Sequence, residues 1–213
     1  MKLSTRPNLR EAIFDVIAPY DCLRCGIEGS LVCEHCWAYL FGDPPGSAPF
    51  PGLERCIVVT PYQGLAKALV HSMKVDAQRQ ACGLIARAMH ESATPFSAVW
   101  VTSVPTAAAR IRERGFDHGV LIAREFARLR DLPYRPLLIR RGRTKQAGAS
   151  RAVRTQQIKG VYQPKSKNAI KGQHILVIDD VTTTGATLVE VASALKSADA
   201  GQVDALVFAQ TIQ

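Results

Sequence analysis

The stretch ILVIDDVTTTGAT, residues 175–187, constrains this chain more than any other. Ile175 to Ile178 are apolar and mostly β-branched, so they read as a buried strand that ends at Asp179–Asp180. A hydroxyl-rich turn follows, with Thr182, Thr183, Thr184, Gly185, Ala186 and Thr187. Thr187 and Glu190 have the spacing of a capping box, and Leu188, Val191, Ala192 and Leu195 continue at helical spacing. The spacing therefore predicts a helix from about Thr187 to Lys196. Such a junction gathers free backbone N–H groups, the positive helix end and several hydroxyls into a phosphate cradle. Half-buried carboxylates need partners, and a pair of vicinal hydroxyls can donate to them. A phosphate beside a cis-diol is a ribose 5-phosphate. The competing reading is an acidic turn that merely caps the helix.

The rest of the chain alternates in the same way. CIVVT (56–60), AVWVTSV (98–104) and VDALVFA (203–209) read as strands. LAKALVHSM (65–73), ACGLIARAM (81–89) and HGVLIAREFARL (118–129) read as helices, the last with Leu121, Ile122, Phe126 and Leu129 on one face. Strands apolar throughout and separated by helices predict a parallel sheet flanked by helices on both faces. Four prolines and three glycines in GDPPGSAPFPG mark residues 42–52 as a linker. The expected organisation is an N-terminal helix and cysteine module over 1–41, the linker, and an α/β domain over 53–213. Asp15 interrupts the short apolar run near the N-terminus, and no stretch approaches the roughly 18 apolar residues of a membrane span. The expectation is a cytoplasmic protein without membrane insertion.

Cys22, Cys25, Cys33 and Cys36 form a C-x2-C-x7-C-x2-C pattern. Two such pairs place four thiolates on two tight turns, which suits tetrahedral, structural Zn²⁺. Disulfides are the alternative, disfavoured in a reducing compartment, and His35 could replace one cysteine. The isolated Cys56 and Cys82 read as small buried hydrophobes.

The formal net charge is +9, and it is uneven. Leu132 to Ile178 contain no Asp or Glu but eleven Lys and Arg, among them Arg140, Arg141, Arg143, Lys145 and Arg154. A stretch of one sign and that length fits phosphates or nucleic acid, against the plainer reading of a solvated basic face. Lys74, at the end of its helix, is either an anion contact or a snorkelling side chain.

The thirteen residues 175–187 resemble the PRPP-binding signature of type I phosphoribosyltransferases. VPTAAARIRERGFDHGVLIAR (104–124), PYQGLAKALVHSMK (61–74) and the four-cysteine module together resemble the ComF/GntX competence-protein family. The resemblance implies that Asp179 and Asp180 hold the ribose 2′- and 3′-hydroxyls and that Thr182 to Thr187 wrap the 5-phosphate. It places Val104, Pro105, Thr106 and Ala107 at the pyrophosphate, with Mg²⁺, and the zinc module in the position of the acceptor-selecting hood. Arg110, Arg112 and Arg114 follow as anion or DNA contacts, since guanidinium forks suit phosphate oxygens. Two departures stand out: Asp117 replaces the usual Asn, and the family's basic-loop pattern appears as Gln146, Ala149, Arg154, Gln157 and Gly160. The implied function is a PRPP-binding, phosphoribosyltransferase-like protein of DNA uptake that binds single-stranded DNA and meets competence-machinery proteins. The alternative is an active enzyme moving ribose 5-phosphate from PRPP to a nucleobase or amine. No residue reads as an acceptor base.

Overall fold

The computed structural model describes residues 20–42, 50–93, 96–97, 100–141 and 160–211. Arg143, Lys145 and Arg154, with Gln146, Ala149 and Gln157, lie outside the described residues, as does any N-terminal helix before Tyr20. The elements run β1 (Arg55–Pro61), α2 (Gly64–Lys74), α3 (Gln80–Ser92), β2 (Trp100–Ser103), α4 (Ala108–Arg114), α5 (His118–Leu129), β3 (Leu138–Arg140), β4 (Tyr162–Pro164), α6 (Lys167–Ile170), β5 (His174–Thr182), α7 (Ala186–Lys196) and β6 (Gln202–Gln210). A short helix, α1 (Glu34–Trp37), and a 3₁₀ turn (Ala38–Leu40) precede them within the cysteine module.

The main sheet has the order β1-β6-β5-β2, and every pairing in it is parallel. Parallel neighbours need a crossover, and α7 supplies it between β5 and β6. Alternation along β5 divides its side chains between two cores. Leu176 and Ile178 pack with Leu69, Met73, Ile85, Met89, Ile122 and Phe126 beneath α2, α3 and α5. Ile175 and Val177 pack with Leu188, Val191 and Leu195 of α7 on the other face. The continuous apolar runs of the central strands follow from burial on both faces. Full burial of each such side chain contributes about 1.5–3 kcal/mol.

Two local expectations are corrected. β5 does not stop at Ile178: it pairs on through Asp179↔Val207, Val181↔Ala209 and Thr182↔Gln210. The neighbouring long strand β6 satisfies the backbone of the acidic pair, so polar side chains do not end the ladder. The capping box does not form either. Gly185, at φ +73°, is the N-cap of α7 with no side-chain cap, and the Glu190 carboxylate instead accepts from the N–H of Gly160.

The cysteine module shares the first core rather than keeping its own: Leu31, Val32, Cys36, Trp37 and Leu40 pack with Leu65 and Leu69 of α2. Polar contacts fix the dock. The N–H of Leu31 donates to Gln80 Oε1 at 2.9 Å, and Trp37 Nε1 donates to Glu91 Oε2 at 2.7 Å. Arg87 lies 4.1 Å over the Trp37 ring while pairing with Glu34 and Glu91. Among the described residues no helix is long and apolar enough to cross a membrane.

Candidate ribose phosphate cleft and cysteine cluster

Because all four strands of the main sheet are parallel, their C-terminal ends share one edge, where open α/β sheets take ligands. A cleft of about 330 Å³ opens there. Val104, Pro105, Thr106, Ala107, Arg110, Arg140, Asp179 and Thr187 line it, all expected from the sequence. His118, Gly119, Tyr162 and Val181 line it as well and were not expected.

The loop after β2 is held from both sides. The N–H of Val104 donates to Ile178 O at 3.1 Å, extending the ladder by one bond. Thr106 Oγ1 donates to Asp117 Oδ1 at 2.8 Å, and the same oxygen accepts from the N–H of Val120 as the N-cap of α5. Asp117, the departure from the family pattern, thus caps a helix and anchors the loop together. Gly119 permits the close approach, since a Cβ there would lie 3.3 Å from Val104 O. Across the cleft, Arg140 Nη1 donates to the Tyr162 hydroxyl at 3.0 Å, with the guanidinium 5.5 Å from the ring centre.

The acidic pair is split. Residues adjacent in a strand face opposite sides of the sheet. Asp179 lies on the α7 side and opens to the cleft, its Oδ1 accepting from the N–H of Asp180 at 3.0 Å. Asp180 points to the other side and is 5% exposed. Lys74 Nζ donates to its Oδ1 at 2.7 Å, and His118 Nε2 lies 2.8 Å from its Oδ2, a close polar contact rather than a well-aligned bond. Burial, then the neighbouring Asp180 charge, pushes Asp179 up to about 7. Burial would raise Asp180 too, but His118 and Lys74 overcome it and hold that carboxyl down at about 2.

Of the turn 182–187, expected to hold a phosphate, only Thr187 lines the cleft itself. Thr182 is buried, Thr183 is exposed, and Thr184 Oγ1 accepts from the N–H of Ala186 at 3.4 Å. Gly185 is required twice over: by its left-handed backbone and by the ring of Phe50, whose Cε1 would clash with any Cβ there. Of the expected anion contacts, Arg110, Arg112 and Arg141 are exposed. Arg114 is not free for DNA. Its Nε donates to Lys74 O at 2.8 Å and its Nη1 reaches His118 Nδ1 at 3.0 Å.

The four cysteines converge at the other end of the molecule's chain order, with their sulfurs all within 4.8 Å of one another. Cys25 Sγ and Cys33 Sγ stand 3.6 Å apart, near the roughly 3.8 Å that Zn–S bonds of about 2.3 Å impose on a tetrahedron. Gly26, at φ +72°, turns the first knuckle so that its N–H donates to Cys22 O at 2.9 Å. The donor set therefore fits a closed zinc site, and the group it would hold supplies folding stability rather than chemistry. Cys56 and Cys82 are buried as expected, and burial pushes their thiols up to about 11 and 12.

The sequence is similar to known proteins. Residues 112–213 match the phosphoribosyl transferase domain family. The DNA utilization protein YhgH of Salmonella typhi is 26% identical over 204 residues, covering 90% of this chain and 84% of that protein. Competence protein F of Haemophilus influenzae is 25% identical over 191 residues, covering 84% and 79%. The glutamine phosphoribosylpyrophosphate amidotransferase of B. subtilis, solved with ADP and GMP, superposes at a TM-score of 0.44 with 21% identity, over 61% of this chain and 26% of that one. The chain thus carries a four-cysteine cluster, is similar to the phosphoribosyl transferase domain family over residues 112–213, and over more than four-fifths of its length is similar to competence protein F and the DNA utilization proteins.

Proposed function

We infer that the protein binds PRPP with Mg²⁺ in this cleft and acts in DNA uptake, carrying single-stranded DNA across the same basic edge. The observation that carries the reading is the pairing, in one cleft, of a carboxylate (Asp179) with the start of α7 at Thr187. That pairing suits a diol and a phosphate of one ribose 5-phosphate. Val104 to Ala107, Arg110 and Arg140 then face the pyrophosphate, where guanidinium donors match its oxygens. Zn²⁺ in the cysteine cluster holds the module that docks on α2 and α3. The names of the two relatives, competence and DNA utilization, and the acid-free stretch 132–178 support the nucleic-acid part.

The second reading, an active phosphoribosyltransferase, needs a group that activates an acceptor. His118 is the one imidazole lining the cleft among the described residues; its Nδ1 meets Arg114 Nη1 and its Nε2 faces the buried Asp180 carboxylate. That favours binding over transfer. PRPP with Mg²⁺ should raise the melting temperature by linkage, while a panel of nucleobases and amines should release no pyrophosphate. Turnover with any acceptor would replace the first reading by the second. Absence of a thermal shift at millimolar PRPP would remove both.

A further inference from the structure

Residues 50–54, where the chain leaves its proline-rich stretch, run along α7 from its N-cap to its last residue. Phe50, Pro51, Gly52 and Leu53 form a turn, closed by the N–H of Leu53 donating to Phe50 O at 3.1 Å. Proline at its second position and Gly52 at φ +83° in its third are what a type II turn requires. The segment meets the helix at three levels. The Phe50 ring lies against Gly185, the N-cap of α7. Gly52 passes over the middle, where a Cβ would stand 3.3 Å from Ala192 Cβ. At the far end Lys196 Nζ donates to Glu54 Oε1 at 2.6 Å, and Glu54 Oε2 accepts from the N–H of Val203 on β6 at 2.8 Å. Phe50 and Leu53 also pack against the core to which Leu188, Val191 and Leu195 belong.

We propose that Phe50 is a positioning residue for the phosphate end of the ligand: its ring backs the turn 182–187 from outside the cleft and holds the first N–H groups of α7 in place for a ribose phosphate. The proposal rests on the reading of the cleft as a PRPP site. Three observations carry it. Thr187 lines the cleft and Phe50 does not, so the ring acts through the turn rather than on the ligand. The ring falls on Gly185, the left-handed residue whose conformation aims the N–H groups that follow it. And the start of α7 has little to hold it from within. Its N-cap offers no side-chain hydrogen bond, and the contact of Thr184 Oγ1 with the N–H of Ala186 is long at 3.4 Å. The ring itself is carried on a firm support, the proline–glycine turn tied down at Glu54.

The test uses the full-length, zinc-loaded chain as wild type, Phe50→Ala and Phe50→Leu. Amide hydrogen exchange without ligand reads the turn alone. In Phe50→Ala, residues 184–188 should exchange about tenfold faster, a larger factor than at Leu176 and Val177 in the core of β5. An equal factor at both places, or no change at 184–188, would overturn the brace. Binding is then read with the two halves of PRPP, ribose 5-phosphate and pyrophosphate with Mg²⁺. A turn that is competent only about a tenth of the time weakens its ligand about tenfold. Phe50→Ala should lose that factor for ribose 5-phosphate and keep pyrophosphate binding within about twofold of wild type. Phe50→Leu, which keeps apolar bulk, should fall between the two, and it is read alone for the same split if Phe50→Ala does not fold. Equal loss for both halves, or loss for neither, would overturn the positioning role. If the wild type binds neither half, the cleft reading fails, and exchange over 184–188 still decides the brace.

Discussion

Asp179 and Asp180 are neighbours in the chain and strangers in their surroundings. Asp180 has Lys74 and His118 against its two oxygens, so its charge is held down in pKa at about 2 and is retained across the neutral range. Its contribution to stability is present above the ordinary carboxylate range and is lost as pH falls toward 2. Asp179 has burial and a like charge beside it, which raise it to about 7. Between about pH 4 and 7 the folded protein therefore holds a proton at Asp179 that the unfolded chain releases, and stability falls as pH rises through that window. Asp179→Asn should abolish this loss: its melting temperature should exceed wild type at pH 8 and converge on it toward pH 4, in calorimetric scans without ligand. A substitution that lowers the melting temperature at pH 8 would contradict the assignment. The residue types of this site were legible in the sequence, but the split was not. It depended on β5 running four residues past Ile178, and an Asp-Asp pair gives no β-forming signal of its own. His118 left no signal either, since a lone histidine at a helix start is common, and only the fold brings Lys74 and Arg114 to it.

At the scale of elements, the start of α7 and the cysteine module carry the sharpest demands. Gly185 combines a positive φ with the ring of Phe50 pressed where a Cβ would go. Gly185→Ala should cost about 1–2 kcal/mol from the backbone alone, with a further cost from the ring. Adding Phe50→Ala should recover the packing part but not the backbone part, a coupling that a double-mutant cycle in urea would read. Additive effects would mean that the ring does not press on the loop. The module makes a different demand: it is short, its apolar residues Leu31, Val32, Trp37 and Leu40 are buried in the core shared with α2 and α3, and a zinc ion held by its cysteines would add the stability that so few residues lack. Chelation, or Cys25→Ser, should release Trp37 from Glu91 and Arg87, red-shift its fluorescence and lower stability by several kcal/mol. A chelated protein that melts and fluoresces like the zinc-loaded one would remove the structural role. Apart from β5, the long helices and strands here were legible to within about three residues, because their apolar periodicities are uninterrupted. The capping box misled because Glu190 has a better partner, the Gly160 N–H on the approach to β4, which local sequence cannot show.

Across the whole molecule, the parallel sheet, its two covered faces and the four-cysteine cluster follow from patterns visible in the chain, whereas the sharing of one core between module and sheet does not. That docking joins residues about 50 positions apart, such as Leu31 with Gln80 and Trp37 with Glu91, and nothing local encodes it. The charge distribution is likewise global. Arg110, Arg112 and Arg141 stand exposed, whereas Arg114 is held by the Lys74 carbonyl and His118 Nδ1. Binding of a single-stranded oligonucleotide should weaken with salt at a log–log slope of about −0.7 per phosphate neutralised. Replacing the three exposed arginines with Ala should flatten that slope by up to about two units, while Arg114→Ala should leave the slope and lower the melting temperature. A flat slope in the wild type would remove the nucleic-acid reading. The cleft itself is decided by titrating PRPP with Mg²⁺ into the zinc-loaded wild type and Asp179→Asn and recording the heat. Saturable binding to the wild type, weakened by about a hundredfold in Asp179→Asn, is the expected result. Equal binding to both, or none to the wild type, would contradict the assignment of this cleft to a ribose phosphate.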